Sequence, residues 1–156
     1  MAPLRRKHHL PDEPEGFEAR WFARGERAFP TFAAGPLAFG LNVCTELWAL
    51  DTYAAYAAAG AHAIVAPRAS ARANTAKWLA IGTVAAVATG AYCLSSNRVH
   101  ADGSCGGVGF AIDPDGALLA RTSARRPFAT VEVDLERARA AARTYPRYVF
   151  AASLDA

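Results

Sequence analysis

Between residues 37 and 97 short apolar stretches alternate with helix-like stretches, and few architectures can absorb that order. Residues 37–43 place branched or aromatic side chains at Leu37, Phe39, Leu41 and Val43 and read as a buried strand. Residues 46–59 have helical composition, 61–67 form a second apolar strand, 68–74 a polar loop, 75–89 a helix and 91–97 a third strand. Strand, helix, strand, helix, strand is the pattern of parallel crossover units with helices laid on the sheet, so the fold class is α/β. Past a glycine-rich loop at 100–107 the pattern changes to hairpins. Asp113-Pro114-Asp115-Gly116 is a tight turn, because Pro sets the early turn dihedrals and Gly accepts the later positive φ. Residues 117–122 pair back, 128–135 alternate as a further strand, and 136–144 read as a helix. The apolar tail at 145–150 is expected to pack on the body or on a second subunit.

A chain of 156 residues with 53% hydrophobic content supports one domain with a real core. The net charge of +3 comes almost wholly from arginine, lysine occurring only at Lys7 and Lys77. The basic residues are scattered and no helix gathers them with aromatics, which argues against a nucleic-acid surface. Cys44, Cys93 and Cys105 are odd in number and lack metal-ligand spacing, no signal peptide precedes them, and a reducing cytoplasm is the expected setting. Residues 79–94 are uncharged but shorter than the roughly 20 strongly apolar residues a membrane span needs, so they read as a buried helix running into a strand. Near the N-terminus, Pro11, Pro14 and Gly16 forbid a continuous helix, leaving an irregular loop in which His8 and His9 read as solvated surface. Trp21 and Phe22 read as core anchors, and His62 as a satisfied core or edge histidine.

Cys44 sits where the first strand meets the first helix. A strand-to-helix junction lifts a side chain out of the sheet and aims free backbone N–H groups at it, which favours a thiolate. The competing reading is a small buried hydrophobe in an apolar run.

Several short segments, in order, resemble the nitrilase superfamily of carbon-nitrogen hydrolases. They are Arg6-Lys7-His8-His9-Leu10-Pro11, Val43-Cys44-Thr45-Glu46, Gly60-Ala61-His62-Ala63-Ile64, Ser96-Asn97-Arg98-Val99 and Ile112-Asp113-Pro114-Asp115-Gly116. The resemblance implies a nitrilase-like αββα sandwich, incomplete at the N-terminus. It implies a single domain over 1–156, with 1–36 as lysine loop and lead-in and 37–150 carrying the nucleophile strand, crossovers and hairpins. Carried over, Cys44 is the nucleophile and Lys7 holds the developing oxyanion with the N–H of Thr45. Glu18 matches the accessory glutamate, with Glu13 and Glu15 as competitors. Thr45, Glu46 and Trp48 follow as substrate-binding residues, Trp48 doubling as a candidate core residue.

Two departures from the family pattern matter. The general-base glutamate lies upstream of the lysine in family members, in a portion this chain is expected to lack, and an acid of the 13–18 loop or of a partner chain is a candidate replacement. Thr45 stands where an aromatic residue often follows the cysteine, which favours an amidase or N-carbamoyl-amide hydrolase over a nitrilase. The resemblance therefore implies hydrolysis of a small amide, N-carbamoyl compound or nitrile through a covalent Cys44 intermediate, releasing ammonia. No cofactor, metal, nucleic acid or membrane is called for, and a homo-oligomer is expected. The alternative is an inactive truncated homologue serving as an interaction or oligomerisation module.

Overall fold

The computed structural model describes residues 4–14 and 17–151. A short helix α1 (Glu18–Trp21) is followed by strands β1 (Thr31–Ala34) and β2 (Leu37–Leu41). A 3-10 turn (Cys44–Trp48) leads into helix α2 (Asp51–Ala58) and strand β3 (Ala63–Val65). A second 3-10 turn (Arg72–Asn74) opens helix α3 (Thr75–Thr89), and strands β4 (Tyr92–Ser95), β5 (Phe110–Ile112) and β6 (Leu118–Arg121) follow. Helices α4 (Leu135–Ala141) and α5 (Arg147–Ala151) come last.

The six strands form one mixed sheet in sequence order. β2, β3 and β4 run parallel, and β1, β5 and β6 are antiparallel to their neighbours. The parallel crossovers are the ones the alternating pattern predicts. β1 is an addition. Gly35, at φ +59°, and Pro36 turn the chain back with Ala34 opposite Leu37, a two-residue hairpin with glycine at its first central position.

Register assigns the two faces. Gly40, Ile64, Cys93 and Ile112 lie side by side across β2 to β5, and this face is covered by α2 and α3 through Tyr53, Tyr56, Trp78, Ile81, Ala85 and Ala86. Full burial of Ile64 and Ile112 contributes about 1.5–3 kcal/mol each. Two glycines let the helices come close. A Cβ on Gly40 would meet the Tyr56 ring at 2.7 Å, and one on Gly82 would meet Phe110 at 2.4 Å. Phe39, Ala63 and Tyr92 face the other way, where Leu37, Leu94, Val133 and Ala138 of α4 gather.

Among the described residues there is thus one sheet with its main helical layer on one face, part of the four layers that the resemblance implies for a complete sandwich. Some local expectations change. The strand stops at Leu41 and not at Val43: the β1 ladder ends at Gly40, and the Asn42 side chain is bonded to Thr52 and Tyr56 of α2. Residues 128–134 form no strand and leave β6 as an edge of the sheet, because 128–130 are exposed, Phe128 at 92%, and give the segment no apolar face to hold against it. Trp21 and Phe22 are 73% and 62% exposed. The α1 turn points them outward, and Phe29 takes the inner place instead, packed on the main core. No helix among the described residues is long and apolar enough to cross a membrane.

Candidate active site

At the carboxyl end of β2 the chain is held by a buried amide. Asn42 is fully buried; its N–H donates to Val65 O at 2.9 Å, its Nδ2 to Thr52 Oγ1 at 3.2 Å, and its Oδ1 accepts from Tyr56 OH at 3.1 Å. These bonds fix the strand exit to β3 and α2, so the next residues have no freedom to drift. Cys44 then adopts φ +53°, the one non-glycine residue in the left-handed region among those described. That conformation costs an L-residue roughly 1–2 kcal/mol. Its N–H donates to Pro67 O at 2.9 Å, anchoring the turn to the loop after β3. Cys44 is half-buried, and the N–H of Thr45 is among the donors that a helix start leaves open.

Glu46 is the centre of the cluster. Its carboxylate has no exposed surface and faces Arg5, whose side chain is 4% exposed, with Nη1–Oε2 and Nη2–Oε1 both at 2.8 Å. Oε1 also accepts from His8 N–H at 2.7 Å and from His9 N–H at 3.4 Å, and Oε2 accepts from Val43 N–H at 3.0 Å. Burial alone would raise the Glu46 pKa, but the Arg5 guanidinium and the backbone donors of His8 and Val43 outweigh it and hold the carboxyl below its ordinary value. One side chain therefore binds the residue after Lys7 and the residue before Cys44. Glu46 was a substrate-binding candidate in the sequence; the structure places it inside, with its oxygens occupied by the chain's own donors.

The N-terminal loop is folded over this clip. Arg5 lies 4.5 Å over the Phe29 ring, Gly25 N–H donates to Lys7 O at 2.9 Å, and His8 Nδ1 is 2.8 Å from Gly25 O. His8 and His9 are half-buried and so are not simple solvated surface. Lys7, 12% exposed, points its Nζ at Glu18 Oε2, 2.6 Å away. Of the competitors, Glu13 is exposed and Glu15 lies outside the described residues. Thr45, Trp48 and His9 line a groove of about 360 Å³ with Ala49, Leu50 and Asp51. Nε2 of His9 is buried without a hydrogen-bond partner among the described residues. Trp48 also packs edge-on against Trp78 at 5.6 Å, so it is both groove wall and core neighbour.

Behind the turn stands Arg68, buried on the loop that anchors Cys44. It donates to Ser95 Oγ at 2.6 Å, Ser70 Oγ at 2.7 Å and Val108 O at 2.7 Å, and sits over the rings of Trp78 and Phe110 at 4.9 and 5.1 Å. Burial lowers its pKa to about 10, while nearby Cys44 and Cys93 act in the other direction. Burial pushes the Cys93 thiol up to about 12, so Cys93 is an inert core residue. Asn42, Arg5 and Arg68 were not singled out by sequence reasoning. Asn42 and Arg68 were visible as polar residues inside or beside an apolar run, where burial demands a partner, whereas Arg5 sits in the basic stretch Arg5-Arg6-Lys7 and carries no such signal.

No three His, Cys, Asp or Glu residues among those described form a metal-holding group. A model of the carbon-nitrogen hydrolase family matches residues 1–143. The chain belongs to the carbon-nitrogen hydrolase family. This family member is 36% identical over 149 residues to a glutamine-dependent NAD(+) synthetase of Rhodobacter capsulatus, covering 93% of this chain and 27% of that protein. The fold matches the crystal structure of a carbon-nitrogen hydrolase from Helicobacter pylori G27 with TM-score 0.82 at 24% identity, over 93% of this chain and 56% of that one. It also matches Nit3 of Saccharomyces cerevisiae, described as a branch 10 member of the nitrilase superfamily, with TM-score 0.73 at 20% identity, over 90% and 51%. This hydrolase-family chain spans about half the length of those solved structures.

Proposed function

We propose that this chain carries a thiol-dependent hydrolase site for the carbon-nitrogen bond of a small amide, N-carbamoyl compound or nitrile. For an amide, the Cys44 thiolate attacks the carbonyl carbon, and the electron pair moves onto oxygen. The Lys7 ammonium and the Thr45 N–H stabilise that oxyanion. Collapse breaks the carbon-nitrogen bond, the departing nitrogen takes up the proton that the Cys44 thiol gave up on forming the thiolate and leaves as ammonia, and the acyl group remains as a thioester on Cys44. Water then attacks the thioester and releases the acid and the thiol. Glu18 holds the Lys7 ammonium and is the acid of the 13–18 loop that exchanges a proton at that position. Glu46 acts as a positioning residue.

The observation that carries this reading is the single buried carboxylate joining the Lys7 loop to the Cys44 turn. The glutamine dependence of the Rhodobacter relative puts a side-chain amide first among the substrates to try. The test is ammonia release from glutamine, other amides, N-carbamoyl compounds and nitriles by the whole chain. Release that disappears in Cys44→Ala and falls at least about 100-fold in Lys7→Gln is expected. Release that survives Cys44→Ala refutes the mechanism.

One observation favours a second reading, an interaction or oligomerisation module without turnover. The sheet face carrying Leu37, Phe39, Val65 and Leu94 is only half-buried. Exposed Tyr145, Tyr148 and Val149 around α5 fit a homo-oligomer on either reading. Sedimentation as a strict monomer would remove that part.

A further inference from the structure

A second cavity opens at the same end of the sheet as Cys44. The carboxyl ends of β2, β3 and β4 point to that end, and the register Leu94↔Ala111↔Ala120 brings the start of β5 and the end of β6 there too. The cavity measures about 620 Å³ and is lined by Arg72, Thr75, Gly106, Val108 and the 121–125 segment. Its β5 and β6 wall lies three to four strand spacings from β2, roughly 15–20 Å. It is therefore separate from the groove at Thr45 and Trp48.

Charge distinguishes this cavity. Arg72, Arg121 and Arg125 all line it, and no lining residue is acidic. Six arginines elsewhere, Arg5, Arg20, Arg27, Arg137, Arg139 and Arg147, each have a carboxylate, whereas Arg6, Arg24, Arg68, Arg98, Arg126 and Arg143 have none among the described residues; what sets the cavity apart is that three such arginines line one space. The three cavity guanidiniums make no hydrogen bond or ion pair with any described residue. Converging like charges repel, and nothing in the described chain offsets the repulsion here.

The neighbouring backbone adds to the positive potential. Helix α3 begins at Thr75 on the cavity wall, 15 residues long, with no side-chain cap from Asn74 and no acidic residue in its first turn. Ser123 accepts the Arg126 N–H at 3.1 Å and keeps its own proton to donate. Planar guanidinium forks match phosphate and carboxylate oxygens two at a time. A cavity of this size falls within the range of small-molecule sites and holds more than a lone ion.

We propose that this cavity binds the anionic oxygens, phosphate or carboxylate, of a small molecule. The site stands independently of the reaction assigned to Cys44, because it is read by binding and not by turnover. The experiment is isothermal titration calorimetry of the whole chain at low ionic strength, with inorganic pyrophosphate in one arm and citrate in the other. Saturable binding at one equivalent is expected, preserved in Cys44→Ala. Affinity should fall about tenfold in Arg121→Gln and in Arg125→Gln, and be lost in the Arg72→Gln/Arg121→Gln/Arg125→Gln variant. The stronger arm identifies the oxygen chemistry. These arginines are exposed, so circular dichroism melts should match the parent chain. Arg143→Gln, an exposed arginine of the 142–146 segment outside the cavity, should leave binding unchanged. Absence of saturable heat in both arms overturns the proposal. So does an equal loss in Arg143→Gln, or single-stranded DNA binding tighter than either probe with several proteins per strand.

Discussion

Replacing Glu46 by Gln tests how the Lys7 loop is attached to the Cys44 turn. Gln keeps the shape but removes the charge, and its amide group places a donor where Arg5, His8 or Val43 already donates. Arg5, 4% exposed, would then be a buried guanidinium with no anion. Removing one partner of a buried pair costs about 3–5 kcal/mol, mostly the penalty of the charge left behind. For a chain of this length that lowers the melting temperature by roughly 6–20 °C. Urea melts of Glu46→Gln, Arg5→Gln and the double variant form the assay. The double variant should be far less destabilised than the sum of the singles, with a coupling of about 1.5–3 kcal/mol. Additive losses, or a Glu46→Gln cost below about 1 kcal/mol, would refute the account of one carboxylate joining two segments. The pH dependence has the matching sign. The folded pKa of Glu46 is depressed, so its contribution is complete above the unfolded value of 4.5 and fades as pH falls below it.

Cys44→Gly should inactivate the chain yet leave it about 1 kcal/mol more stable than Cys44→Ala, because only glycine accepts φ +53° without cost; equal denaturation midpoints would dismiss the strain. His62 Nδ1 accepts the Ala38 N–H at 3.0 Å, and burial, helped by Arg139, lowers the ring's pKa below 6.5. Its unfolded form therefore binds the proton first, so stability should decline on acidification below about pH 6.5; melts of His62→Gln should show a flatter profile between pH 7 and 5. Gly82→Ala would drive a methyl into Phe110 and should cost about 1–3 kcal/mol by chemical denaturation, despite the better helix propensity of alanine.

The parallel crossovers were legible because the two hydrophobic periods, strand and helix, differ sharply between residues 37 and 97. The Asp113 turn was legible too: its Oδ1 accepts the Asp115 and Ala117 N–H groups, and Gly116 takes φ +90°. The β1 hairpin was missed, since Thr31-Phe32-Ala33-Ala34 is short and its outer half is exposed. Residues 128–134 carried strand periodicity without a strand, because alternation reports a half-buried extended chain and says nothing about a ladder partner. At the site, residue type and order single out Lys7, Glu18 and Cys44 as candidates, and the ion pair between Lys7 and Glu18 is what the structure adds. The inward turn of Glu46 could not be read, because a carboxylate two residues past a cysteine looks the same in sequence whether it faces outward or faces Arg5.

The last helix has a bearing on how the chain can be handled. Arg147 reaches from α5 to Val87 O at 3.0 Å, Pro114 O at 2.9 Å and Ala141 O at 2.5 Å, carbonyls from the end of α3, the β5–β6 turn and the end of α4. All three lie at the end of the sheet remote from Cys44, since α3 starts beside the arginine cavity and finishes here. A surface tether or fluorophore attached on the exposed side of α5, for example at Tyr148, would thus sit at the end of the sheet away from both cavities. Captured that way, the molecule presents its chemical edge to the solution in one orientation.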